Sequence, residues 1–209
     1  MKDILKLCLS LGIICTIAGA LLSYVNKITL EPRIAAEQAV RDRNLKLVLP
    51  PETDSINQED TVNGVQFFRA LDQDGSLLAY AAEGASNKGF GGEVRVLVGI
   101  NPTGEILGVI VSSHSETPGI GTLVTDRKTT QSFWDTITGR AKDEDFPPNE
   151  YLDAYTGKKI TRTFSFGSGE NQVLAVSGAT ISSKAVLTAI NAVTAAWQQK
   201  FPAPASAQP

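Results

Sequence analysis

The sequence predicts an α+β fold, an antiparallel sheet with packed helices, preceded by one transmembrane helix. Three observations carry this expectation. An uncharged apolar run fills the chain between Lys6 and Lys27. A β-rich block of alternating segments, broken by strong turns, occupies the middle. Apolar residues at helical spacing then mark a long last helix.

The first run reads LCLSLGIICTIAGALLSYVN. At about 1.5 Å per residue a helix of this length crosses a hydrocarbon core of about 30 Å. Ala18-Gly19-Ala20 also resembles a signal-peptidase site. The apolar run continues beyond it through Leu21, Leu22 and Val25, with Tyr24 suited to an interface, which favours a retained anchor. Charge leaves the orientation open. Lys2 and Lys6 precede the span and Lys27, Arg33, Arg41 and Arg43 follow it, but long domains translocate largely regardless of charge.

Ile34 to Leu49 reads as an amphipathic helix following Pro32 and ended by Pro50-Pro51. The polar stretch Glu52 to Gly64 reads as a linker or loop. Val65 to Leu71 and Leu77 to Ala82 flank Asp72-Gln73-Asp74-Gly75, a hairpin signal. Glu93 to Ile100 alternates, with Val94, Val96, Val98 and Ile100 on one face. After the turn Asn101-Pro102-Thr103-Gly104, Ile106 to Ser112 returns as its partner, and the pair is expected at the centre of the sheet. Leu123 to Ile137 is weakly helical, Asp143 to Asn149 is an acidic loop, and Lys159 to Phe164 is a strand candidate. The last helix is expected over Ser182 to Gln199, with Val186, Ala189, Ile190, Val193 and Trp197 as its buried stripe. Pro202 to Pro209 reads as a disordered tail.

Composition narrows the chemistry. Of 209 residues, 42% are hydrophobic and 20% charged, the balance of a folded chain. The net charge of −3 offers no basic surface for nucleic acid. The two cysteines, Cys8 and Cys15, lie in the apolar run, too few for an Fe–S cluster or a Cys-based zinc site on this chain alone. His114 is the single histidine. Redox chemistry would therefore come from an organic cofactor or a partner. No dinucleotide fingerprint is present, because Gly89, Gly91 and Gly92 do not give G-x-G-x-x-G before a helix.

Three short motifs stand out. Ser177-Gly178-Ala179-Thr180 opens the last helix. Small residues and a helix N-terminus make an anion site there, with the Thr180 hydroxyl on hand, although these residues alone favour an ordinary helix cap. His114 to Gly121, with Glu116-Thr117-Pro118-Gly119-Ile120-Gly121, follows a strand. It is either a tight surface turn or a loop that lets a flat ligand approach backbone. Lys88-Gly89-Phe90-Gly91-Gly92 precedes the alternating strand and is either a flexible turn or a permissive loop whose Phe90 covers a ring. His114 could bond a ligand or be a turn histidine, Glu116 could cap its own turn, and Lys184 could assist a phosphate or face solvent.

In this order the three motifs resemble the FMN-binding domain of the Rnf-complex G subunit family (RnfG), to which the NqrC subunit of the sodium-pumping NADH:quinone oxidoreductase is a near relative. The resemblance divides the chain into a transmembrane anchor over 1–27, a helical stalk and linker over 28–64, an FMN-binding domain over 65–201 and a tail over 202–209. It implies FMN held covalently, as a phosphoester on Thr180 made from FAD by a flavin transferase. Ser177, Gly178 and Ala179 would then contribute to the cofactor site, and Glu116, Thr117, Gly119 and Gly121 would lie beside the flavin. Relatives often carry an acidic residue shortly before the motif, where this chain has Leu174.

The implied role is a non-catalytic electron relay in a ferredoxin:NAD oxidoreductase that moves ions across the bacterial inner membrane, with the FMN domain on the extracytoplasmic side. The implied partners are the other Rnf membrane subunits, especially RnfD, RnfA and RnfE. A membrane-tethered flavin sensor or accessory module is the alternative, and an assembly subunit with a decayed flavin site is a third reading.

Overall fold

The computed structural model describes residues 2–127 and 146–202. The chain divides into two units, Met1–Asp42 and Arg43–Pro209. The first is the greater part of α1 (Lys2–Val48), a helix long and apolar enough to cross a membrane. Its large side chains are exposed all round, from Leu7 through Leu22 to Ile28, as expected of a helix with no protein face to bury. Pro32 lies inside α1 and does not begin a second helix, contrary to the expectation of a helix starting after it. A proline costs one backbone hydrogen bond and crowds the preceding turn, and the helix continues past that local defect.

The second unit is built on a five-stranded antiparallel sheet in chain order: β1 (Ser55–Val62), β2 (Val65–Leu71), β3 (Leu77–Ser86), β4 (Val94–Ile100) and β5 (Ile106–Ser113). Tight turns explain the meander. The Asp72 carboxylate accepts the N–H groups of Asp74 and Ser76 across the β2–β3 turn. Asn101 does the same for Thr103 and Glu105 across the β4–β5 turn, where Gly104 takes a φ of +80° that a side chain would strain.

Two expectations about the sheet are corrected. Residues 55–62, read as loop, are β1, paired with β2 through Ser55–Leu71 to Val62–Val65. β1 is an edge strand with no fully buried residue, so its sequence carries no apolar alternation to announce it. The β4–β5 pair is not the centre of the sheet: β3 is central, and β5 is an edge.

Both faces of the sheet are covered. On one, Phe67, Val96 and Val98 pack beneath α4 (Thr180–Lys200), which buries the predicted stripe Val186, Ala189, Ile190, Val193 and Trp197. Val186, Ile190 and Val193 each contribute about 1.5–3 kcal/mol by leaving water. The helix lies close on β3: a Cβ at Gly84 would stand 2.8 Å from the Ala189 carbonyl oxygen. On the other face, Phe68, Ala79, Ala81, Leu97 and Ile110 meet Leu45, Val48 and Leu49 at the end of α1.

Short elements complete the unit: α2 (Thr122–Thr125), α3 (Glu150–Asp153), β6 (Ser165–Phe166) and β7 (Gln172–Val173). Of the weak helix expected over Leu123 to Ile137, the described part holds α2, which ends where Asp126 turns extended; residues 128–137 lie outside the described residues. Of the expected acidic loop, 143–145 likewise lie outside, as do residues 203–209 of the expected tail. Lys159 to Phe164 is not a strand. Lys159 makes one isolated bridge to Glu105, while Ile160 and Phe164 plug into the core with their N–H groups on the Gly104 carbonyl and the Asn191 side chain.

Candidate functional site

The first turn of α4 is the centre of the site. Its approach is a tight turn in which the Ala179 N–H donates to the Val176 carbonyl at 3.0 Å, with Gly178 at φ +82°. Ala179 is the N-cap residue, and no side chain caps the helix. The cap reading of Ser177-Gly178-Ala179-Thr180 is thereby corrected. The leading N–H groups of α4 lack the side-chain acceptor that a Ser or Asp cap supplies. Open space borders the turn at Gly178, where a Cβ would have no neighbour within 4 Å.

Four hydroxyls sit around this turn, and burial sorts them. Ser177 and Thr180 are exposed. Ser182 and Ser183 are 3% and 0% exposed. Ser183 donates to the Ala179 carbonyl at 3.0 Å and accepts the Val176 N–H at 3.1 Å, so it closes the turn from within. Ser182 donates to Glu116 at 2.7 Å. Neither buried serine caps the helix. Lys184, exposed, shares the face of Thr180 one turn on.

Glu116 joins all three motifs. It is 5% exposed; Oε1 accepts the Phe90 N–H at 2.9 Å, and Oε2 accepts the Ser182 hydroxyl. The glycines of both loops make room for it: a Cβ at Gly89 would come 2.5 Å from Oε1, and one at Gly121 2.7 Å from Oε2. Gly91 lies against the Ser115 carbonyl with no space for a side chain. Glu116 is therefore not a cap of its own turn; its carboxylate is spent on two distant segments.

Thr117 heads the turn instead, its carbonyl accepting the N–H groups of Ile120 and Gly121 at 3.3 and 3.0 Å. Gly119, at φ +80°, donates to the Thr122 hydroxyl at 2.8 Å. Among the described residues no hydrogen bond joins Thr117 or Gly119 to Thr180. His114 accepts the Glu116 N–H on Nδ1 at 3.2 Å and contacts Asp126 through Nε2 at 2.7 Å. Both ring nitrogens are thus engaged within and beside the loop. Phe90 is 71% exposed, its ring free to cover a ligand.

Sequence reasoning missed the support behind the turn. Tyr151 of α3 donates to the Ser183 carbonyl at 2.7 Å, and the Tyr155 hydroxyl meets the Tyr151 oxygen at 2.9 Å. Partners 32 residues apart leave no local signal. A cleft of about 600 Å³ runs from Leu123 past Tyr151, Lys158 and Gln172 to Leu174 and Val176, the residue before Ser177. It has room for a flat ring system, bordered by an exposed Leu174.

Comparison with known proteins gives this geometry a context. The FMN-binding domain family matches residues 89–195, which hold the Gly-rich loop from Gly89, the Glu116 loop and most of α4. The G subunit of the ion-translocating oxidoreductase complex of Haemophilus influenzae (strain PittEE) is 36% identical over 120 residues, covering 53% of this chain and 56% of that protein. The chain thus spans little more than half the length of this relative. The G subunit of the proton-translocating ferredoxin:NAD(+) oxidoreductase complex of Clostridium ljungdahlii is 31% identical over 177 residues, covering 85% of this chain and 82% of that one. The G subunit of the Na(+)-translocating ferredoxin:NAD(+) oxidoreductase complex of Acetobacterium woodii is 26% identical over 204 residues, covering 91% and 89%.

Proposed function

The chain belongs to the FMN-binding domain family, among the G subunits of ion-translocating oxidoreductase complexes, and on that footing we propose that it carries FMN covalently on Thr180 and relays electrons within such a complex. One observation carries the reading: an exposed threonine hydroxyl stands on the first residue of a 21-residue helix whose N-terminus has no side-chain cap. The residues fit an FMN phosphate. Uncapped N–H groups donate to its oxygens, the helix dipole favours its charge, and Gly178 leaves the approach open. Lys184 adds a cation on the same face.

Bound FMN supplies the one-electron chemistry that the side chains of this chain lack. The protein's part is attachment and placement. In loading, the Thr180 oxygen bonds the FMN phosphorus, the pyrophosphate bond of FAD breaks, AMP leaves and the hydroxyl proton is released. The ester keeps the cofactor from diffusing away, and Phe90, Ile120 and Ile181 are exposed apolar side chains in or beside the three motifs. Leu174, standing where relatives often have an acid, is an exposed apolar side chain and offers the turn no hydrogen bond.

The relatives' names place those proteins in ferredoxin:NAD(+) oxidoreductase complexes that translocate ions. The same assembly is proposed here, with RnfD, RnfA and RnfE as membrane partners, α1 as the anchor, a flavin transferase as the maturation enzyme and the FMN domain on the extracytoplasmic side. Coexpression with a flavin transferase tests the core of the reading. A fluorescent band on a denaturing gel is expected; a colourless chain of unmodified mass overturns it.

A further inference from the structure

We infer that Glu116 is a positioning residue that orients the Thr180 acceptor, acting through Ser182, and not a group that touches the cofactor; this rests on the reading of Thr180 as the flavin acceptor. The resemblance places Glu116 beside the flavin. Its carboxylate, however, has both oxygens engaged by protein donors and is almost wholly enclosed. A carboxylate enclosed to 5% exposure presents little surface to a ligand.

What it fixes is the rotation of a helix end. An α-helix advances about 100° per residue, so side chains two positions apart point to nearly opposite sides. Ser182 points inward onto Glu116, and Thr180 points out to solvent. Holding Ser182 at 2.7 Å therefore sets the direction of the Thr180 hydroxyl and of the N–H groups around it. The other oxygen ties this helix end to the Phe90 backbone, so the Gly-rich loop and the acceptor keep one spacing. The glycines at 89 and 121 are the room this arrangement needs. Reacting groups displaced by about 1 Å lose about 10²-fold in rate, so loosening this tie should be read in the attachment step.

The test is the steady-state rate of FMN attachment to the full-length chain in detergent, with a purified flavin transferase and FAD, read by in-gel fluorescence. Glu116→Ala is expected to lower kcat by about tenfold or more, with KM for the chain little changed. Glu116→Gln keeps an acceptor for Phe90 and an amide donor for the Ser182 oxygen, and is expected to restore most of the rate. Ser182→Ala should slow attachment like Glu116→Ala, and the double variant should be no slower than either single one. Wild-type rates in folded Glu116→Ala, or additive losses in the double variant, overturn the inference. Should Glu116→Ala fail to fold, Ser182→Ala decides alone: an unchanged rate overturns the inference. A wild-type chain that accepts no FMN refutes the Thr180 reading instead, since positioning is measured only against a working acceptor.

Discussion

The Gly99 α-carbon faces the Val48 carbonyl oxygen so closely that a Cβ on Gly99 would overlap it. β4 and the end of α1 thus meet backbone to backbone, on the sheet face opposite α4. The atom in the way is main chain, which cannot swing aside. Gly99→Ala is expected to destabilise the Arg43–Pro209 unit by about 1–3 kcal/mol, the usual cost of overpacking. A urea midpoint unchanged from wild type would show that the two backbones separate freely.

Arg127 is expected to resist conservative exchange. Its guanidinium donates to the Val109 carbonyl, to the Pro147 carbonyl at 2.9 Å and to Asp153 at 2.7 Å, and it lies 3.7 Å from the Phe146 ring centre. Burial lowers its pKa, and Asp153 partly offsets this. Arg127→Ala should cost about 1.5–3 kcal/mol, the range for charged hydrogen bonds. Arg127→Lys should recover little of it, because one ammonium cannot reach three acceptors in a plane. Urea unfolding with an unchanged slope measures both.

The tyrosine pair gives the unit an alkaline limit. Burial pushes the Tyr151 hydroxyl up from 10.0 to about 12, against a smaller lowering from its hydrogen bond with Tyr155. Burial, with Tyr151 as neighbour, also pushes Tyr155 up. Between the unfolded and folded values the unfolded chain binds fewer protons, so stability falls as pH rises from about 10 towards about 12. Below that window the contribution is fully present. Tyr151→Phe should lower stability at neutral pH by about 0.5–1.5 kcal/mol and flatten the alkaline decline. Denaturant melts across that pH range, with tyrosinate absorbance, follow both effects.

Peptide mass mapping separates the four hydroxyls of the attachment turn. Thr180→Ala should abolish the FMN ester while leaving weak reversible binding at the uncapped helix end. Thr180→Ser should keep some ester. Ser177→Ala, at the other exposed hydroxyl, should leave FMN on Thr180. Ser182→Ala should slow loading without moving it. An intact FMN ester on the Thr180→Ala peptide would assign the acceptor to a serine.

The apolar run of α1 continues past Ala20 to Val25, so the span is expected to be retained. Intact-mass analysis of membrane-extracted protein should find Cys8 and Cys15 on the chain. A mature N-terminus near Leu21 would mark the run as a cleaved signal.

Strands that alternate were legible from sequence. Val94, Val96, Val98 and Ile100 announce β4, and β2 runs over Val65–Leu71 as the pattern gave it. The stripe from Val186 to Trp197 likewise announces α4. β1 was not legible, because an edge strand with polar residues on both faces takes its structure from β2 and not from its own pattern. Nor did the sequence mark the β4–β5 pair as lying at the sheet edge, a fact of pairing order alone. At the site, the tight turn through Gly178 and the nearby helix start were legible because helix ends and tight turns depend on local chemistry. The role of Glu116 was not, since its partners Phe90 and Ser182 lie 26 and 66 positions away.

The order of elements has a consequence for biogenesis. All five strands of the main sheet precede α4 in the chain, and each pairs with its sequence neighbour, so the sheet's contacts are local in sequence. A chain emerging amino-end first holds a sheet with one greasy side bare until α4 arrives. The proposed acceptor, Thr180, is the first residue of that same helix. Glu116 and Tyr151, which bond Ser182 and the Ser183 carbonyl in its first turn, both precede the helix in the chain. If Thr180 is the acceptor proposed above, it would take its place only as the fold closes, and a half-made or misfolded chain would present nothing for a modifying enzyme to load.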